Sequence, residues 1–183
     1  MKDWAGKIIA GKKRVAVPIM THPGIEMTGK TVYDAVTDGR VHYQAIKALD
    51  EKFPSAACSV IMDLTVEAEA FGAQVDFPQD DIPTVVGRLA GDMDAVRNLA
   101  VPGMDKGRIP QYLLANRLAA ENIVDKPVFG GMIGPFSLAG RLYDMSEFMM
   151  ACYCEPEVAG LLLDKCTEFL TAYCLELKKQ GIQ

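Results

Sequence analysis

The chain has 183 residues, half of them hydrophobic and 23% charged, which is the profile of an ordinary globular domain large enough for a real core. A net charge of −5 and a pI near 5.1 argue against a nucleic-acid or anionic-membrane surface, and the one basic run, Lys12-Lys13-Arg14, is too short to change that. No stretch approaches the roughly 18 apolar residues of a spanning helix, and Met1–Ala10 lacks the apolar centre of a signal peptide, so a cytoplasmic protein is expected, with no nucleic-acid and no membrane partner. The five cysteines form no secreted disulfide pattern and are expected to be reduced; Cys152, Cys154 and Cys166 could be partial zinc ligands, but buried small-apolar side chains are the expectation.

In chain order, Trp4, Ile8 and Ile9 predict a short amphipathic helix ended by Gly11. Arg14–Met20 reads as a first strand, interrupted or at an edge because Pro18 has no N–H to donate. Thr21–Gly24 is expected to be the loop after it. A short helix over Val32–Thr37 and a longer one over Arg40–Lys52, capped by Asp38, follow; Ala45, Ile46 and Leu49 mark the buried side of the second. Phe53-Pro54 closes it and leads into a central strand.

The rest of the chain is organised around Cys58–Phe77. Val60-Ile61-Met62 is an unbroken apolar run, the pattern of a strand buried on both faces of a parallel sheet. It stops at Asp63, at the end where parallel α/β folds place their ligands. Helix formers from Thr65 to Phe71 follow, with Gly72 as the stop. Glu67 is four residues beyond Asp63, so a helix starting near Asp63 puts both carboxylates on one face. Asp63 as a mere helix cap is the other reading, and residue type alone leaves both open.

Gln74–Phe77 and Thr84–Val86 flank a proline-rich turn and predict a small antiparallel hairpin. Helices are expected over Asp92–Leu99 and Ile109–Asn122, and a third strand over Pro127–Ile133, with Gly134–Ser137 as the loop behind it. Ser146 is expected to cap a helix through Tyr153, and Pro156 to start a last one on the stripe Val158, Leu162, Cys166, Phe169, Tyr173 and Leu177. This alternation predicts β/α units on a parallel sheet. Gly181 stops the last helix where a next strand would begin, so the sequence looks cut in mid-fold.

Gly24–Thr31 satisfies GxxxxGK[ST], which raises a P-loop NTPase as one reading. Against it, Glu26 would put a negative charge in the phosphate cradle, and the next helix is barely two turns long. Cys152, Cys154 and Cys166 match no zinc-finger spacing. His42 is expected at a surface or half-buried helical position. His22 follows the first strand, where a functional side chain could sit.

The segments GKKRVAVPI, YDAVTDGRVHYQAIKALDEKF, MDLTVEAEAFGAQVDFPQDDIP and VFGGMIGPFSLAGRLYDMSEFMMACYCEPEVAGLLLDKCTEFLTAYCLELKKQG resemble the N-terminal half of the uroporphyrinogen decarboxylase superfamily. More narrowly, they resemble its corrinoid branch, the methylcobamide:coenzyme M methyltransferase type. VEAEAFGAQVDFP and IGPFSLAGRL carry the most specific part of the likeness. The resemblance implies an α/β fold, the N-terminal portion of a (β/α)8 TIM barrel with a β-hairpin excursion, over residues 1–183. In that alignment the Gly-Lys-Thr segment is an unremarkable helix start.

The resemblance also implies a pocket at the C-terminal face of the barrel, with Asp63 as the catalytic position. In the decarboxylases, an aspartate there binds pyrrole N–H groups and stabilises a cationic intermediate. Met20, His22, Glu67, Met132, Phe136 and Arg141 would be substrate-binding. An arginine-rich RQAGR stretch of the decarboxylases is replaced here by Met20–Gly24, and Arg141 stands where a tyrosine is expected. These departures favour the methyltransferase branch, which would move a methyl group from a methyl-corrinoid to a thiol. Tetrapyrrole decarboxylation is the alternative, and a non-catalytic module docking a corrinoid protein a further one. Zinc, held by one His and two Cys, is implied for the full-length methyltransferase, with its ligands outside this chain. The open strand edges of half a barrel predict a homo-oligomer, most simply a two-fold dimer, and the isolated fragment is expected to be inactive and to hold no zinc.

Overall fold

The computed structural model describes residues 2–19, 22–53 and 55–182, except the side chain of Lys2. Helix α1 (Lys2–Ala10) ends with the Gly11 N–H donating to the Ile8 carbonyl. Residues 12–19 run without a strand ladder, and Val15 and Ile19 are exposed. The expected first strand is therefore not formed there. Pro18 removes one donor, and among the described residues the segment makes a single backbone bond, Ala56 N–H to Ala16 carbonyl at 3.3 Å. Met20 and Thr21, at the end of that strand and the start of the loop, lie outside the described residues.

The expected loop is also replaced: α2 (His22–Thr28) begins at His22, with Pro23 in the first turn, where its missing N–H costs nothing. Helix α3 (Val32–Thr37) carries a capping box, in which Thr31 Oγ1 accepts from the Asp34 N–H and Asp34 Oδ2 from the Thr31 N–H, both at 3.1 Å. Asp38 caps α4 (Gly39–Lys52) by accepting from the Arg40 N–H. Ala45, Ile46 and Leu49 face inward as the spacing requires. Helices α2 and α4 pack so closely at Gly24 that a Cβ there would stand 2.5 Å from the Ala45 carbonyl oxygen.

The apolar run forms less strand than its composition suggests. β1 is Cys58–Ser59, two residues earlier than expected, and Met62 is 44% exposed. Val60 and Ile61 are buried in irregular backbone; Val60 still donates to the Phe129 carbonyl at 3.3 Å. Helix α5 (Val66–Phe71) ends at Gly72, whose φ of +102° only glycine adopts without strain. The hairpin is formed by β2 (Gln74–Asp76) and β3 (Thr84–Val86), with Val75 opposite Val85. Then come α6 (Met93–Asn98), capped by Asp92, and α7 (Ile109–Asn122).

β4 shrinks to Val128–Phe129 and pairs in parallel with β1, Cys58 opposite Val128. The expected loop at Gly134–Ser137 is helical: α8 (Pro135–Tyr143) starts on Pro135, with Leu138 already donating to the Gly134 carbonyl. The cap of α9 (Met145–Cys154) is Asp144, not Ser146. At φ +82°, Asp144 accepts from the Ser146 and Glu147 N–H groups. Helix α10 (Pro156–Lys179) buries the whole predicted stripe.

The chain divides into two compact units. The first comprises 1–62, 111–131 and 177–183, with Ile46, Cys58, Val60, Ala119, Ile123 and Val128 as a core. His42 belongs to it and is 1% exposed, not at the surface: its Nε2 accepts from the Ile61 N–H at 2.9 Å, which satisfies backbone that has left the ladder. The second unit comprises 63–110 and 132–176. Its core includes Phe71, Phe148, Phe169 and Tyr173, with the Phe71 and Phe169 rings 5.1 Å apart. No helix among the described residues is long and apolar enough to cross a membrane.

Candidate functional site

In the second unit, the chain turns from Asp63 into α5 and buries three of its polar side chains there. Asp63, Thr65 and Glu67 are 7%, 1% and 2% exposed. Asp63 Oδ1 accepts from both the N–H and the hydroxyl of Thr65, at 2.9 and 2.7 Å. The helix starts at Val66, three residues later than a start at Asp63 would give, and Asp63 stabilises the turn before it.

Three carboxylates within seven residues and no basic residue among them require a cation from elsewhere. Arg108 supplies it from the segment before α7. Its Nη1 donates to Asp63 Oδ2 at 2.5 Å, its Nε to Glu69 Oε2 at 2.6 Å and its Nη2 to the Thr65 hydroxyl at 2.7 Å. The guanidinium also lies 4.7 Å from the centre of the Phe77 ring. Gly107 makes this reach possible: at φ +52° it passes so close to α5 that a Cβ would meet the Ala70 nitrogen at 3.2 Å. A buried ion pair of this kind persists only when its donors and acceptors are matched, as they are here.

Glu67 is set differently. Its Oε1 accepts from the Ile133 N–H at 3.0 Å, while Oε2 is buried with no hydrogen-bond partner. Burial is the main cause that pushes its carboxyl above the usual range; the Ile133 N–H works the other way, Asp63 adds to the rise and Arg108 subtracts from it. Through Ile133, α5 is tied to the segment that carries Met132. Met132, Ile133, Gly134 and Pro135 form one wall of an apolar groove, with Leu170 and Cys174 of α10 on the other.

Of the residues singled out in the sequence, Asp63 and Glu67 are thus brought together, and Met132 adjoins the Ile133 amide that Glu67 holds. Phe136, half exposed, leans edge-on against Phe148 at 5.1 Å, and Arg141 is further along α8, half-buried. His22, half-buried, opens α2 in the first unit, and Met20 lies outside the described residues. Arg108, Thr65 and Glu69 escaped the sequence reading. The one signal for Arg108 was indirect, namely the acid-only stretch Asp63–Glu69.

Gly24 is inside α2 rather than in a loop, so the Gly24–Thr31 segment has no cradle of free N–H groups for a phosphate. Calorimetry with ATP or GTP and Mg²⁺ at sub-millimolar nucleotide is expected to show no binding, and Lys30→Ala to change nothing; tight binding lost in that variant would restore the NTPase reading. Cys58 and Cys166 are buried, their thiols pushed up to about 11 and about 12 by desolvation, whereas Cys174 and, against expectation, Cys152 and Cys154 are exposed. Among the described residues, no group of three or more His, Cys, Asp or Glu could hold a metal ion.

The family model for uroporphyrinogen decarboxylase matches residues 12–183. The chain belongs to that family. Among curated relatives, the methylcobamide:CoM methyltransferase MtbA of Methanosarcina acetivorans is 31% identical over 129 residues, which cover 68% of this chain and 37% of that protein. A uroporphyrinogen decarboxylase of Legionella pneumophila is 26% identical over 132 residues, 69% of this chain and 37% of the relative. The chain therefore spans little more than a third of the length of either. A solved methyltransferase from Methanosarcina mazei superposes with a TM-score of 0.81 over 92% of this chain and 50% of its own, at 24% identity, which establishes the shared fold. In this uroporphyrinogen decarboxylase-family chain, the parallel pairing among the described residues is the two-residue ladder of β1 and β4.

Proposed function

We propose that this chain is part of a corrinoid-dependent methyltransferase, which moves a methyl group from a methyl-corrinoid to a thiol or a similar acceptor. The observation that carries this reading is the higher identity to the methylcobamide:CoM methyltransferase, 31%, than to the uroporphyrinogen decarboxylase, 26%, over nearly the same span. The state of Asp63 supports it. A carboxylate that must receive pyrrole N–H groups needs acceptor capacity, and both oxygens of Asp63 already accept from Arg108 and Thr65. In this reading Asp63, with Arg108, sets the charge of the pocket rim, and Met132 and Phe136 supply apolar surface to the substrate; a corrinoid protein would be the partner that delivers it.

The test is turnover by the whole protein. Methylcobalamin with coenzyme M should yield the methylated thiol, followed by the change in corrinoid absorbance. Release of CO₂ from a porphyrinogen without any demethylation would transfer the reading to decarboxylation. Binding of a corrinoid protein with neither reaction would make the chain a docking module.

A further inference from the structure

We propose that Glu67 is carried as the neutral acid and latches the Met132–Gly134 backbone to α5, a latch that opens when the carboxyl ionises. The inference does not depend on which reaction the whole protein performs. It rests on a mismatch between acceptors and donors. An ionised carboxylate presents two equivalent oxygens that both need donors. Glu67 is 2% exposed; its Oε1 accepts from the Ile133 N–H and its own backbone N–H also favours the charged form, but Oε2 stays buried with no hydrogen-bond partner. Leaving a full charge in that position costs far more than leaving a neutral carboxylic acid.

The groups around it do not supply the missing compensation. Asp63, four residues back, repels a second negative charge. Arg108, the cation of the cluster, directs Nη1, Nε and Nη2 to Asp63, Glu69 and Thr65. From α10, Tyr173 presents a buried phenol whose own ionisation is opposed first by burial and then by the Glu67 and Asp63 charges. The Ile133 N–H does favour the charged form, but desolvation outweighs it.

The sign of the linkage follows. In an opened state, water reaches the carboxyl and its pKa returns toward the ordinary 4.5; in the closed state it lies higher. The closed state thus binds the proton more tightly. Its advantage is complete below the ordinary value and is lost as pH rises through the raised one. What opens is the segment Met132–Gly134, one wall of the apolar groove, so ionisation of a side chain inside the unit would loosen a wall facing its surface.

The test is a carboxyl-carbon NMR titration of the 183-residue chain, with Glu67→Gln identifying the resonance. Glu67 is expected to titrate above the exposed glutamates. Over the same range, exchange of the Ile133 amide should accelerate beyond the intrinsic rise with pH, in step with the Glu67 titration. In Glu67→Gln, which keeps an oxygen for Ile133 and cannot ionise, that extra acceleration should vanish. A Glu67 carboxyl that titrates with the exposed glutamates overturns the proposal, as does Ile133 protection that ignores the titration. If the variant does not fold, the pH dependence of Ile133 amide exchange in the wild type decides the matter by itself.

Discussion

Arg108→Met is expected to destabilise the fold by about 3–5 kcal/mol, the usual consequence of removing one partner from a buried ion pair. Asp63 and Glu69 would both lose their cation, and Asp63, at 7% exposure, has no route to water as a substitute. For a domain near this length, roughly 2–4 °C of melting temperature accompanies each kcal/mol, so the transition should fall by about 6–20 °C. Arg108→Lys should recover only part of this. A single ammonium cannot meet Asp63, Glu69 and Thr65 from one fork, and it gives up the planar contact with Phe77. Combining Arg108→Met with Asp63→Asn should cost clearly less than the two separate losses added together, because the neutral amide no longer needs the missing cation. Urea denaturation of the wild type, the three single variants and the double variant measures these differences. An Arg108→Met midpoint within about 1 kcal/mol of wild type would mean that the network is ornamental.

The second large effect is on chemistry. In the whole protein, Asp63→Asn is expected to lower turnover by about 10²–10³, the scale for removing one group that stabilises developing charge. Asparagine keeps an oxygen for the Thr65 N–H and hydroxyl, so the turn into α5 should survive. The charge facing Arg108 is what disappears. Turnover and melting temperature should be read on the same preparation. A fall in turnover with a largely retained fold supports a role at the reacting centre, whereas full activity in the asparagine variant would remove Asp63 from the catalytic account.

Helices were legible in the sequence where their signals are local. Thr31 and Asp34 announce their own capping box, Asp38 its cap, and Gly72 its left-handed stop. The stripe from Val158 to Leu177 states its period without reference to anything else. Strands were legible only as apolar runs. Such a run says that a segment is buried, not that it is paired: Ile61 is buried, yet its N–H goes to an imidazole instead of a neighbouring strand. The two loops that proved helical, at His22 and Pro135, were hidden by proline. A proline after a strand reads as a break, and the same residue is equally at home in a first helical turn. In the candidate site, the acids were visible because they are near one another in sequence. Arg108 was not, since nothing local at position 108 records which carboxylates it will meet.

The parallel ladder has a consequence for how this chain is made. Cys58 must wait for Val128, and on a ribosome adding about 5–20 residues per second that wait is several seconds. Helices α2, α3 and α4 pack on one another within their own stretch of chain, although the Gly39 N–H still awaits Gln111 and Ile46 awaits Ala119, Ile123 and Val128. Beside the waiting strand, the Ile61 N–H has its acceptor nearby in sequence, the imidazole of His42 on α4. In the finished fold that imidazole holds the Ile61 amide just past the point where the chain leaves the β1–β4 ladder, so the amide is satisfied from within the first 62 residues whether or not the late strand has arrived.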